Sequence, residues 1–243
     1  MSFLNFDRED YFKETDCLIS LIKNNPNDNF HEVFTNSIII DLVINLEIFI
    51  ERTLECYINQ LQILNIKSSI LHENIRKEHL KKLFSDALSF SQHEHKIDKF
   101  NISIQDISKF MTDQNLDQIH IDLKLGIGKH GEKELSNLFK RIGFHEIYKI
   151  ILIPNKSESM LEEITYLDIE DFIQTLTSKR NIAIHQGVSL HTIFSIEKLE
   201  NLSNNLEVFL KTINDILNFS LNFYKNKCEL AYSNILNSKN EAA

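Results

Sequence analysis

The sequence predicts an all-α protein, a helical bundle in one domain, on three observations. Only 5 glycines and 2 prolines occur in 243 residues, so turns are scarce and elements must be long. Two segments, about 31–63 and 195–235, repeat apolar residues with a period of 3.6. Nothing in the chain alternates strand and helix as a parallel sheet requires. Each long helix is apolar on one face and needs the other, with shorter helices, to cover it. The expected architecture is therefore a bundle with two long antiparallel helices.

In order, residues 8–24 read as a helix with Phe12, Leu18, Ile19 and Ile22 on one face, ended by Asn24-Asn-Pro-Asn-Asp28. The single domain, 1–243, divides into an N-terminal helical extension (1–29), a core (30–235) and a frayed tail (236–243). The first long helix carries Ile39, Leu42, Leu46, Ile50, Leu54, Ile58 and Leu61, beside a stripe of Glu47, Glu51 and Glu55 that reads as its wet face. A helix at about 72–91 carries Ile75, Leu80, Leu83, Phe84, Ala87 and Leu88. His93-Glu-His95 has too few donors for a metal and reads as an exposed turn. Residues 103–112 read as a short helix capped by Ser103, and 119–125 with 149–153 leave room for one small β-ribbon.

Gly126-Ile-Gly-Lys-His-Gly131 matches the spacing of a dinucleotide-binding turn, ahead of a helix at 132–142. That chemistry needs an acidic residue closing the second strand, but the run Ile150–Ile153 ends at Pro154 and Asn155. The glycines read instead as a tight loop exposing Lys129 and His130, and no cofactor is expected. Residues 154–167 are a polar connector. Asp168 then caps a helix with Asp171 in its first turn, whose apolar residues Ile169, Phe172, Ile173 and Leu176 lead into Ser178-Lys-Arg-Asn-Ile-Ala-Ile-His-Gln-Gly187. Val188–Phe194 reads as a short extended return, and Ser195 caps the last long helix.

The net charge of −9 argues against a protein that grips long nucleic acid indiscriminately, but not against a small cleft over one or two phosphates. The densest basic run, Arg76, Lys77, Lys81 and Lys82, reads as a solvated helix face, with RNA contact as the alternative. Cys17, Cys56 and Cys228 are an odd number without a C-x-x-C pair, so neither a disulfide framework nor a zinc site follows, and a reducing cytoplasm fits. The first ten residues lack the basic and apolar regions of a signal peptide. The most apolar run, 38–50, is interrupted by Asp41, Asn45 and Glu47 and is too short and polar to cross a bilayer, so no membrane contact is expected.

The chemistry concentrates in residues 178–187. Arginine presents a planar fork of donors that matches two phosphate oxygens, and histidine both takes and gives protons near neutrality. On a continuous helix Arg180 and His185 stand roughly 140° apart and about 7.5 Å along the axis, whereas Asn181 and His185 share a face. Either the motif bends, or both groups face a site completed by something else. A second copy about a two-fold axis is the simplest completion.

Arg180, Asn181, Ala183, His185 and Gly187 resemble the Arg-Asn-x-x-x-His motif of the HEPN superfamily, and residues 30–235 loosely resemble its RiboL-PSP-type branch. The resemblance implies a HEPN-like bundle and a homodimeric, metal-independent endoribonuclease of toxin or antiviral-defence type. Its catalytic residues would be Arg180, His185 and Asn181, its substrate a structured RNA such as tRNA, and its partner an antitoxin or another defence component. It implies supporting roles for Gly187, which stops the helix, and for Glu47, turned inward to hold Arg180 by a charge-assisted bond. It also makes Lys179, Arg76, Lys77 and Lys81 candidate RNA contacts. One departure stands out: toxins of this class silenced by nucleotidyltransferases carry a tyrosine where this chain has Gly187. The alternative is a non-catalytic HEPN module that binds a protein or nucleotide without turnover.

Overall fold

The computed structural model describes residues 3–25, 28–125, 131–154, 165–185, 190 and 192–241. Among these, eight α-helices carry the chain: α1 (Glu9–Asn24), α2 (Asp28–Ile63), α3 (Glu73–Ser91), α4 (Ile97–Met111), α5 (Glu132–Arg141), α6 (Ile147–Ile150), α7 (Ile169–His185) and α8 (Ile196–Glu241). The expected all-α bundle is the fold.

α2 is its axis. Ile38, Ile39, Leu42, Val43, Leu46, Phe49, Ile50, Leu54, Tyr57 and Leu61 are all buried, and they pack against α1, α7 and α8. A helix this long and apolar meets the length and composition needed to cross a membrane. One face of it, from Ile38 to Leu61, fills the core, while Phe30, Val33, Ile44, Ile48 and Ile63 stay exposed. The residues expected to form an N-terminal extension belong to that core. Phe12, Ile19 and Ile22 of α1 are buried, and the buried Thr15 hydroxyl donates to Asp41 of α2 at 2.5 Å.

The two long helices run parallel, which corrects the antiparallel expectation. α1 folds back along α2, with Thr15 at Asp41 and Tyr11 at Phe49. It is antiparallel to α8 too, with Lys23 at Glu200, Arg8 at Glu207, and Phe3 and Leu4 at Asn218. Direct pairing agrees: Leu190 N donates to Asn36 just before α8 begins, and Tyr57 meets Ser220 at 2.9 Å much further along both helices. The cause is the route of the chain. α3–α6 intervene at the far end of α2, α7 returns along it, and α8 therefore starts at the end where α2 started.

Other expectations shift for local reasons. α4 begins at Ile97, and Ser103 is no cap: it is buried inside the helix and donates to Lys99 O at 3.1 Å. The ribbon of 119–125 with 149–153 does not form among the described residues. In 116–125 the backbone N–H groups go elsewhere: Leu116 to Ile66 O, His120 to His79 Nδ1 and Leu125 to Glu51 Oε1. Residues 147–150 are the short helix α6, and Ile153 O takes Leu167 N instead. The last helix is assigned to Glu241. Leu190 to Phe194 close a turn, while 188, 189 and 191 lie outside the described residues, as does the loop 126–130. Gly143, at φ +100° between α5 and α6, is required: a Cβ there would sit 2.6 Å from the His72 ring.

Two side chains tie distant parts together. Asn218 Oδ1 accepts from Phe3 N (2.7 Å) and Leu4 N (2.8 Å), while its Nδ2 donates to Leu4 O (3.0 Å), so one buried amide fastens the N-terminus to α8. His79, 1% exposed, accepts from His120 N at 2.9 Å and stacks on the His120 ring. Burial, then the neighbouring His120, depresses its pKa from 6.5 to about 4.

Two outcomes follow. Asn218→Ala removes three hydrogen bonds to the backbone of Phe3 and Leu4 and destabilises the fold by about 1–3 kcal/mol, measured by urea unfolding. For His79, the unfolded chain binds a proton between pH 6.5 and 4 that the fold excludes, so stability is full above that window and falls as the pH drops through it. The loss is on the order of 3 kcal/mol by pH 4, and His79→Asn, whose Oδ1 can replace Nδ1 as acceptor, makes the profile of unfolding midpoint against pH flatter.

Candidate functional site

α7 is built to hold its C-terminal end still. Its start is capped by Asp168, whose Oδ1 accepts from Asp171 N at 3.0 Å, and Glu170 and Asp171 complement the positive end of the helix. Ile169, Ile173 and Leu176 are buried at spacings of four and three residues against α2 and its neighbours. Thr177 is buried too, its hydroxyl satisfied by Ile173 O at 2.9 Å.

Arg180 is the next position on that same inward stripe, four residues after Leu176. A cation therefore stands where the pattern asks for an aliphatic side chain. It is half-buried, and its Nε–H is shielded from solvent without a hydrogen-bond partner. The far end of the guanidinium emerges, and Nη1 donates to Asn181 Oδ1 at 3.1 Å. One turn on, Ile184 is 44% exposed, so the inward stripe leaves the core just beyond Arg180.

His185 is exposed and is the last residue of α7. The helix is continuous through the motif, so Arg180 and His185 keep the separation of roughly 140° and about 7.5 Å that periodicity sets. Asn181, exposed and on the His185 face, bridges the angular gap by drawing the guanidinium toward that side. The structure thus joins Arg180 to Asn181 directly, with His185 beside them.

The other candidates are placed differently. Glu47 lies half-buried on α2, which packs on α7, and among the described residues the side-chain bond of Arg180 goes to Asn181. Lys179 is half-buried on α7 beside the motif. Arg76, Lys77 and Lys81 are on α3, which packs on α4 and α5 beyond the C-terminal end of α2. The chain leaving α7 meets Asn36, and Asn36 to Ile63 is about 40 Å along a helix, so those three cations do not join the site. Gly187 lies outside the described residues. Asn36 was not foreseen: its Oδ1 accepts from Leu190 N at 3.2 Å and pins the chain just after the motif. An asparagine within an apolar helix run is the only trace of this in the sequence.

No group of three metal-binding side chains occurs among the described residues. A cavity of about 410 Å³, lined by Lys133, Ser136, Lys140, Tyr148 and Glu170 among others, opens near the start of α7. Glu170 is some 15 Å along the helix from Arg180, so that cavity is separate from the motif. What the end of α7 offers chemically is an anion site, a cation with spare donors, next to a group able to exchange protons. Comparison with family models, with curated proteins and with solved structures gave no match.

Removing the cap tests how far the site depends on the start of α7. Asp168→Ala lowers stability by about 1 kcal/mol, read as a shifted thermal midpoint with helix content unchanged in circular dichroism.

Proposed function

We propose that this protein is a metal-independent endoribonuclease of HEPN type that works as a homodimer. The observation that carries the reading is the state of Arg180: a guanidinium on the buried stripe of α7, with a shielded and unpartnered Nε–H, steadied by Asn181 one residue away from it and beside an exposed His185. A buried charged donor without a partner is costly, and a phosphate oxygen is a fitting acceptor for it.

In this reading Arg180 binds the scissile phosphate and stabilises the charge that grows on its non-bridging oxygens, the role that usually supplies the largest part of catalysis. His185 takes the proton from a ribose 2′-OH as that oxygen attacks phosphorus. The bond to the 5′ oxygen breaks, and the leaving oxygen takes up a proton from the second His185 of the dimer. The products are a 2′,3′-cyclic phosphate and a 5′-OH. Asn181 positions the guanidinium.

The homodimer rests on exposed apolar side chains on α7 and on the helix it packs against. Ile184 follows Arg180 by one turn, and Ile44 and Ile48 flank Glu47 on the helix that α7 packs against. Their burial between two copies would bring two motifs together. A cytoplasmic toxin or defence role with a structured RNA substrate, and an antitoxin or defence partner, completes the proposal on the resemblance of residues 180–187. The acidic chain favours one other reading, a non-catalytic binding module.

The test is cleavage of a labelled tRNA pool in EDTA. Wild type yields cyclic-phosphate ends, and Arg180→Ala and His185→Ala each reduce the rate by about 100-fold or more. Undiminished activity in both variants ends the assignment, and binding without turnover at any enzyme concentration selects the non-catalytic module.

A further inference from the structure

α3 and α4 form an antiparallel hairpin that the rest of the molecule covers incompletely. The pair packs chiefly on itself, with α3 also touching α5. Its register is fixed by Arg76 over the Phe110 ring at one end and Lys96 over the Phe90 ring at the other. In that register Lys77 stands level with Lys109, Phe84 with Ile102 and Leu88 with Asp98.

Exposure is patterned on this frame. On α3, Lys77, Lys81, Phe84 and Leu88 fall within about 60° of arc, and all four are exposed, Phe84 by 55% and Leu88 by 67%. On α4, Ile97, Phe100, Ile104 and Met111 fall within a similar arc of about 60°. Ile97, Ile104 and Met111 are 56%, 45% and 70% exposed. Both stripes are rotated in the same sense from the α3–α4 contact. In an antiparallel pair that places them on one side of the hairpin.

The result is an apolar trough with Ile97, Ile104 and Met111 along one wall at heptad spacing, a row about 21 Å long. Charge is sorted around it. Lys77 makes no ion pair among the described residues, and Lys81 reaches only Glu78, at 3.7 Å. The acids Glu78, Asp86, Asp98 and Asp106 lie outside the two stripes by helical angle, and Glu73 in the first turn lies about 20° beyond the Phe84 edge of the α3 stripe. In a chain of net charge −9, this surface is cationic and apolar together.

We propose that this trough docks an acidic amphipathic helix of a partner protein, completing a three-helix bundle. The heptad row suits a helix, since two antiparallel helices with an uncovered apolar side take a third. The lysines select acid flanks on it. Other occupants fit less well. The α4 side of the trough is bordered by Asn101, Gln105 and Ser108, so an anionic bilayer finds cations on one wall only. RNA gains nothing from a row of aliphatic side chains. A second copy presents the same cationic face, without an acid row to meet Lys77 and Lys81. The proposal does not rest on the nuclease reading, because the hairpin lies beyond the opposite end of α2 from the motif.

The experiment uses the full chain and two fluorescent 21-residue helical peptides with leucine at heptad core positions, one with glutamate and one with lysine at the flanks. Fluorescence anisotropy is to show the acidic peptide binding at least tenfold tighter than the basic one. Phe84→Ser with Ile104→Ser lowers that affinity at least tenfold, and Lys77→Glu with Lys81→Glu reverses the preference. These side chains are exposed, so both variants keep the wild-type thermal midpoint, measured alongside. Equal binding of both peptides, or no effect of either variant, overturns the proposal. So does uptake by anionic vesicles or by single-stranded RNA, or self-association, that depends on these residues while the acidic peptide does not bind.

Discussion

The structure depends on burying one helix along most of its length. One face of α2 is apolar and buried from Ile38 to Leu61, and a helix of that kind is stable in water only when its neighbours exclude solvent from that face. α1, α7 and α8 do so from different sides. That constraint sets the course of the chain: α7 must return along α2, and α8 must then run parallel to it. It also fixes the end of α7 as a rigid place. Three buried aliphatic positions and an N-terminal cap hold the helix, and the fourth inward position is Arg180.

An arginine on a buried stripe is a local conflict with the pattern that otherwise specifies the fold. Folding tolerates it because the guanidinium reaches out to Asn181 while its stem covers apolar surface. The proposed function reads this conflict as the mark of a functional position, since the stability given up there must be offset elsewhere. In that reading the amide of Asn181 has a clearer task than general contact with substrate. It sets where the charge points.

Much of this was legible in the sequence. Helix periodicity placed the elements, and the side chains capping α7 and α8, Asp168 and Ser195, act as their residue types suggest. The continuity of α7 through residues 180–185 was legible too, and with it the angle between Arg180 and His185. Three things were not. Helix direction depends on the path of the intervening chain, and no local pattern in 31–63 or 195–235 encodes it. The strand-like run 119–125 has β-branched residues but pairs its N–H groups with Glu51 and His79, partners far away in sequence. The bond from Arg180 to Asn181 leaves no local signal either, because a long flexible side chain reaches its own helix as easily as the next.

The central claim is that the end of α7 receives a phosphate between Arg180 and His185. The most direct measurement is NMR of the Arg180 Nε–H and the His185 ring on titrating a non-cleavable dinucleotide with a 2′-O-methyl ribose at the scissile position. The account predicts that both signals shift together along one saturating curve, with the Nε–H moving downfield as it gains an acceptor. Saturation of binding at other residues while both signals stay still would contradict it.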